Sequence, residues 1–140
     1  MTEESRYDTG IKTRKEVLGD EYVEQALARA TAFDADFQHI ITEMAWGSVW
    51  SRPDLDRRTR SLVTVAILAA LGRDELALHL RAAIENVGVD PHEIAEVLLH
   101  VAVYAGVPAA NTAFVTARKI VNQPAPASSE ATRASQEEDV

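Results

Sequence analysis

At 140 residues with 46% hydrophobic side chains, the chain is sized for one domain with a core of its own. Its net charge of −8 argues against a nucleic-acid partner, because phosphate binding needs a basic face. It contains no cysteine, which excludes disulfides, thiolate nucleophiles, redox dithiols and zinc–sulfur sites.

Residues 1–9 are acidic and polar and are expected to be poorly ordered. That start is unlike a secretory signal, and no apolar run reaches the roughly 18–20 residues that span a bilayer, so a cytoplasmic protein without membrane contact is expected. A short helix is predicted from Ile11 to Leu18, stopped by Gly19. Asp20 caps a second helix to about Ala30, with Val23, Ala26 and Leu27 inward. A third helix is predicted from about Asp34 to Val49. Phe37, Ile40, Ile41 and Met44, extended by Phe33, form its expected core face. A second stripe, Asp36, His39, Glu43, Trp46 and Trp50, lies roughly 120° around the helix, at about 100° per residue. Two tryptophans are rare on a solvated face, so this stripe should meet a partner chain or a pocket.

Ser51 to Asp56 break the helix and cap the next, Arg57 to Leu71, whose nearly continuous apolar surface predicts a central position. Gly72 ends it, and Asp74 is expected to cap a helix from Glu75 to about Val87, with Leu76, Leu80, Ile84 and Val87 inward. Asp90-Pro91-His92-Glu93 is a strong helix start: cap, proline in the first turn, glutamate at the third position. Ile94, Val97, Leu98, Val101 and Ala105 form its inner face. The last helix is predicted from about Ala109 to Val121, with Ala113, Phe114, Ala117, Ile120 and Val121 apolar. Every element reads as helix, giving an all-α single domain of six or seven helices over residues 10–123. Residues 124–140 are rich in Pro, Ala, Ser and Glu and carry −3 of the net charge; they are expected to form a disordered acidic tail.

Two features carry chemistry. Arg57, Arg58 and Arg60 open a helix whose N-terminus already bears partial positive charge. Either they point outward and pair with Asp54 and Asp56, or an anionic ligand compensates them, since guanidinium groups grip carboxylates bidentately. His79 lies at the border of its helix's buried face. It is either a structural histidine or a general acid–base near neutral pH, with Glu75 one turn earlier raising its pKa above roughly 6.5. The Glu75/His79 and Glu96/His100 spacing of four differs from the Glu-x-x-His of di-iron bundles, so no metal is expected. No P-loop, Gly-x-Gly-x-x-Gly or Gly-x-Ser-x-Gly supports nucleotide cofactors or serine hydrolysis.

Six segments in order resemble the γ-carboxymuconolactone decarboxylase family: Glu16-Val17-Leu18-Gly19-Asp20, Ala45-Trp46-Gly47-Ser48-Val49-Trp50-Ser51-Arg52-Pro53, Leu55-Asp56-Arg57-Arg58-Thr59-Arg60-Ser61, Ala70-Leu71-Gly72-Arg73, Leu76-Ala77-Leu78-His79-Leu80-Arg81-Ala82-Ala83 and Tyr104-Ala105-Gly106-Val107-Pro108-Ala109-Ala110-Asn111. The resemblance covers about Lys12 to Asn122. It implies an all-helical fold assembling as a homo-oligomer, typically a hexamer built from dimers or trimers. It implies decarboxylation of 4-carboxymuconolactone, a small dicarboxylate lactone, to the β-ketoadipate enol-lactone in the protocatechuate branch of aromatic catabolism. No cofactor is implied. Wider relatives, the alkylhydroperoxidases, carry a Cys-x-x-Cys where this chain has Gly72 and Glu75, so peroxidase chemistry is excluded.

Within that resemblance, Arg58 and Arg60 are expected to hold the substrate's carboxylates. Trp46 and Trp50 supply a dry wall and Asn111 hydrogen-bonds the lactone. His79 protonates the dienolate left when CO2 departs, oriented by Glu75 or Glu43. A related lactone hydrolase or isomerase, and a non-catalytic helical assembly module with the tryptophan stripe as subunit contact, are the alternatives.

Overall fold

A computed structural model describes residues 3–123. Among these it is all-helical: α1 (Arg6–Leu18), α2 (Asp20–Arg29), α3 (Ala35–Ile41), α4 (Arg57–Leu71), α5 (Leu76–Ala82), α6 (Pro91–Tyr104) and α7 (Val107–Val121). Two π-helical segments, Thr42–Trp50 and Ala83–Val87, continue α3 and α5. The predicted tail, residues 124–140, lies outside the described residues.

The first helix starts five residues before its expected position. Ser5 caps it, its hydroxyl accepting from the Asp8 amide at 3.1 Å, and Asp8 places a carboxylate in the positive first turn. Residues 6–9 are therefore helical rather than poorly ordered. The α4 boundaries match the expectation: Asp56 accepts from the Thr59 amide at 2.7 Å, and Gly72 closes the helix. α5 begins at Leu76 with Glu75, not Asp74, as its flanking residue. The Asp90 capping box forms as predicted, and the glutamate in it is Glu93.

The main core lies between α4, α5, α6 and α7. Val65, Leu80, Ile94 and Leu98 are fully enclosed, with Ala113 and Ala117 letting α7 approach. Deleting such side chains costs several kcal/mol each because the cavity cannot close, about 2–5 for a leucine. α4 is less central than its composition suggests: Val65 and Ala69 face inward, while Val63, Ile67 and Leu71 are exposed.

A second cluster joins α1, α2 and the end of α5 to the Thr42–Trp50 π-helix through Val17, Val23, Ala82 and Trp46. Here two backbones nearly touch. A Cβ on Gly10 would stand 2.2 Å from the Thr42 carbonyl oxygen, and one on Gly47 would stand 2.2 Å from that of Arg6. This approach decides which face of the third helix is buried. α1 takes the side carrying Thr42, Trp46 and Gly47, so Trp46 is core, at 6% exposure. The row predicted as core is turned out to solvent: Phe33 is 97% exposed, and Phe37, Ile40 and Met44 are more than half exposed.

Candidate active site

The three arginines at the head of α4 separate into two kinds. Arg57 bonds Glu16 of α1, and Arg58 bonds Glu93 of α6, so neither uses Asp54 or Asp56. Asp56 is committed to its cap, and the Thr59 hydrogen bond holds its carboxyl below the usual range. Asp54 pairs with Arg52 at 3.3 Å. Arg60 folds back on the preceding loop instead. Its Nε donates to the Leu55 carbonyl at 3.1 Å and its Nη2 to the Arg52 carbonyl at 3.3 Å. Among the described residues no carboxylate pairs with it. These neutral partners fix the guanidinium without cancelling its charge.

Arg60 lines a cleft of about 210 Å³ together with Trp50, Thr64, Val49, Leu55, Val63 and Ile67. Trp50 stacks on buried Trp46, with ring centroids 4.8 Å apart and planes 23° from parallel. The stacked pair forms a rigid apolar wall beside one free cation, the lining expected for a small carboxylate. At least three other clefts are of similar size, and one of them, beside the Thr42–Trp50 segment, holds both Arg6 and Glu43. Another, between the α4–α5 turn and α7, sets Arg73 beside Asp74, so its charges offset. A third, between α6 and α7, is apolar with a single cation, Arg118. The Arg60 cleft sets a cation without a carboxylate partner beside Trp50, which is itself backed by buried Trp46.

His79 stands on α5, one residue after Leu78 and three before Ala82, both of which pack into the cluster containing the tryptophans. It is not among the residues lining the Arg60 cleft. Its pKa is lowered, not raised: burial disfavours the imidazolium, and the Glu75 charge only partly opposes that. Glu75 itself is exposed at the start of α5. Glu43 belongs elsewhere. It pairs with His39 at 3.2 Å, and His39 stacks on Tyr7. Asn111 is exposed near the start of α7.

Of the predicted site residues, the structure thus brings Trp46, Trp50 and Arg60 together and sets His79 on the helix beside them. It places Arg58, Glu43 and Asn111 in other settings. No group of three or more His, Asp or Glu able to hold a metal ion occurs among the described residues.

One residue escaped sequence reasoning. Arg14 of α1 is only 4% exposed and has no carboxylate partner among the described residues. Its Nη1 donates to Gln38 Oε1 at 3.1 Å and Thr42 Oγ1 at 3.2 Å, where α3 passes into the π-helix, and its Nε has no hydrogen-bond partner. Burial lowers its pKa. Nearby, Thr13 and Ser51 hydroxyls meet at 2.8 Å, and Ser51 donates to the Trp46 carbonyl. The polar seam on α1 therefore fixes the segment that carries both tryptophans. A signal existed: Arg14 follows Gly10 by one helical turn and precedes Val17 and Leu18, which places it on the inner face.

Residues 35–119 match the model of the carboxymuconolactone decarboxylase family. The chain belongs to that family. It is 50% identical over 121 residues to the 4-carboxymuconolactone decarboxylase of Acinetobacter baylyi, covering 86% of this chain and 90% of that protein. It is also 50% identical over 119 residues to the nitrosuccinic acid decarboxylase of Metarhizium robertsii, covering 83% of this chain and 81% of that one. A 47-residue stretch is 43% identical to a 4-carboxymuconolactone decarboxylase of Pseudomonas putida. As a carboxymuconolactone decarboxylase family member, the chain carries its free arginine and its histidine inside the matched region. Arg14 lies before it.

Proposed function

We propose that this protein is a carboxy-lyase that decarboxylates 4-carboxymuconolactone to the β-ketoadipate enol-lactone in protocatechuate catabolism, without a cofactor. The observation that carries the reading is the Arg60 cleft, a fixed cation without a carboxylate partner beside a stacked tryptophan wall. Fifty per cent identity over 121 residues, covering 90% of a 4-carboxymuconolactone decarboxylase, supports the choice of reaction.

The chemistry follows from the lining. The substrate has two carboxylates, and the cleft offers one guanidinium. Arg60 holds the retained carboxymethyl group by charge-assisted hydrogen bonds. The other carboxylate lies against Trp50, where poor solvation raises its energy relative to neutral CO2. When the bond breaks, the electron pair moves through the ring double bond onto the lactone carbonyl oxygen. His79 then returns a proton to carbon. Burial lowers the His79 pKa, and its place on the helix that packs against the tryptophan cluster makes it the proposed donor although it does not itself line the cleft. Glu75 contributes by opposing the effect of burial. Arg58, tied to Glu93, shapes the head of α4.

The exposed row Phe33, Phe37, Ile40 and Met44 supports assembly. Apolar patches of this kind mark contact surfaces, and a second copy of the chain is the proposed cover, in a hexamer built from dimers or trimers. Among the described residues no helix is long and apolar enough to cross a membrane; the proposed location is the cytoplasm.

A second reading has its own support, since identity to the nitrosuccinic acid decarboxylase is equally high. On that reading the electron sink is a nitro group. Measuring CO2 released from 4-carboxymuconolactone by wild type and His79→Asn tests the primary reading. Stoichiometric CO2 is expected, with a loss of about 100-fold or more in the variant, the usual contribution of a general acid. Ring opening without CO2 would indicate a lactone hydrolase. A variant that keeps more than about a tenth of the rate removes His79 from the mechanism.

A further inference from the structure

We infer that the Arg60 cleft reads a succinate skeleton and not a lactone ring. The protein therefore decarboxylates a wider class, succinates substituted beside the leaving carboxylate with an electron acceptor that ends in oxygen. The inference rests on the decarboxylase reading above and extends it to substrates with no ring.

The polar inventory of the cleft is short. Arg60 is its one cation, and Thr64 carries its one side-chain hydroxyl. That hydroxyl donates to the Arg60 carbonyl at 2.8 Å, so its proton is committed and it presents only lone pairs to a ligand. Everything else around the ligand space is hydrocarbon or indole. Such a lining grips one carboxylate with its cation and brings only one further side-chain donor, the indole N–H of Trp50, which can serve a lactone, nitro or keto oxygen alike. Strong discrimination needs buried polar groups that a wrong substrate leaves unpaired; apolar walls separate similar shapes only weakly.

The neighbouring cations reinforce the point. Arg57 and Arg58 are neutralised by Glu16 and Glu93, so the second carboxylate finds no cation at the head of α4. The site thus defines two unlike positions, a gripped carboxylate and a poorly solvated one. A succinate fills both, with one methylene between the gripped carboxylate and the carbon that loses CO2. The two substrates weighed above share this unit. In each, the leaving carboxylate is borne by a carbon that also carries a carboxymethyl arm and a conjugated acceptor, an unsaturated lactone in one and a nitro group in the other.

The step balances without an oxidant or reductant. The carbon–carboxylate bond breaks and CO2 leaves. Its electron pair passes to the acceptor oxygen as a dienolate, nitronate or enolate, and one proton returns to carbon from the general acid. Acetylsuccinate fits the same description. It should yield CO2 and 4-oxopentanoate through an ordinary enolate.

The test uses the purified full-length protein and three probes: acetylsuccinate, methylacetoacetate (the same β-keto acid without the gripped carboxylate) and 4-carboxymuconolactone in parallel. CO2 release is measured against each compound's spontaneous rate. Acetylsuccinate should be accelerated and methylacetoacetate should not. Arg60→Met should lower the acetylsuccinate rate about 10- to 100-fold, the worth of a hydrogen bond to a charged group. Turnover of the lactone with acetylsuccinate left at its spontaneous rate would overturn the inference and leave the lactone reading standing. Equal acceleration of both keto acids would overturn it too, since the carboxymethyl arm would then not be read. Acceleration of acetylsuccinate without lactone turnover would support the inference while removing the lactone as substrate. Failure of all three probes would remove both.

Discussion

Between α4, α5, α6 and α7 the contacts are aliphatic, with Val65, Leu80, Ile94 and Leu98 enclosed by one another and by alanines. Between α1 and the Thr42–Trp50 π-helix they are of another kind. Gly10 and Gly47 bring backbones together, Arg14 is buried on neutral acceptors, and Thr13 reaches Ser51. The first region is held by close-packed apolar bulk without directional bonds, so losing a side chain leaves a cavity. The second is held by close approach and directional bonds, which fix one geometry. The Trp46–Trp50 pair belongs to the second region and the Arg60 helix to the first, so the cleft lies on the seam. Precision is spent where the wall of the site is built.

That contrast can be broken by mutation. Leu98→Ala, in the aliphatic region, should cost about 2–5 kcal/mol of unfolding free energy in denaturant titration. Gly10→Ala, a single added methyl, should cost about 1–3 kcal/mol, because the atom it meets is backbone and cannot swing aside. It should also weaken the near-ultraviolet signal of the tryptophan pair, which Leu98→Ala should leave intact. Arg14→Met should change stability by less than about 1 kcal/mol or raise it, since an apolar side chain removes the desolvation cost of a buried charge. If Arg14→Met proves as damaging as Leu98→Ala, the buried cation is a stabilising element and the contrast fails.

A smaller effect concerns pH. The folded state lowers the His79 pKa, so the unfolded chain binds the extra proton more readily. Stability should therefore decline as pH falls below about 6.5 and level off below the folded pKa, and His79→Gln should flatten that part of the curve. In catalysis the same shift has the opposite sign. As the general acid, His79 should make kcat/KM fall as pH rises through a value below about 6.5.

Where the determinants are local, the sequence was legible. Asp56 and Gly72 bracket α4, the Asp90–Glu93 box starts α6, and Ile94, Leu98 and Val101 face inward as their spacing predicts. It failed where a long-range contact overrode periodicity. Phe37, Ile40 and Met44 form a regular apolar row, yet α1 docks on the glycine side of that helix, and the π-helical turn is not a 3.6-residue pattern. The site divides the same way. Trp50 and Arg60, which the structure brings to one cleft, stand out in the sequence by residue type. That Arg58 is neutralised by a residue 35 positions later, that Glu43 faces His39, and that burial outweighs Glu75 at His79 all depend on packing that no local motif encodes.

The sharpest consequence is the inequality of two arginines two residues apart. Steady-state decarboxylation of 4-carboxymuconolactone by Arg58→Met and Arg60→Met measures it directly. Loss of the free cation at Arg60 should lower kcat/KM about 10- to 100-fold. Loss of Arg58, whose charge Glu93 already offsets, should stay within about fivefold, because an exposed ion pair contributes at most about 1 kcal/mol. Equal losses, or a larger loss at Arg58, would contradict the assignment of the carboxylate to Arg60.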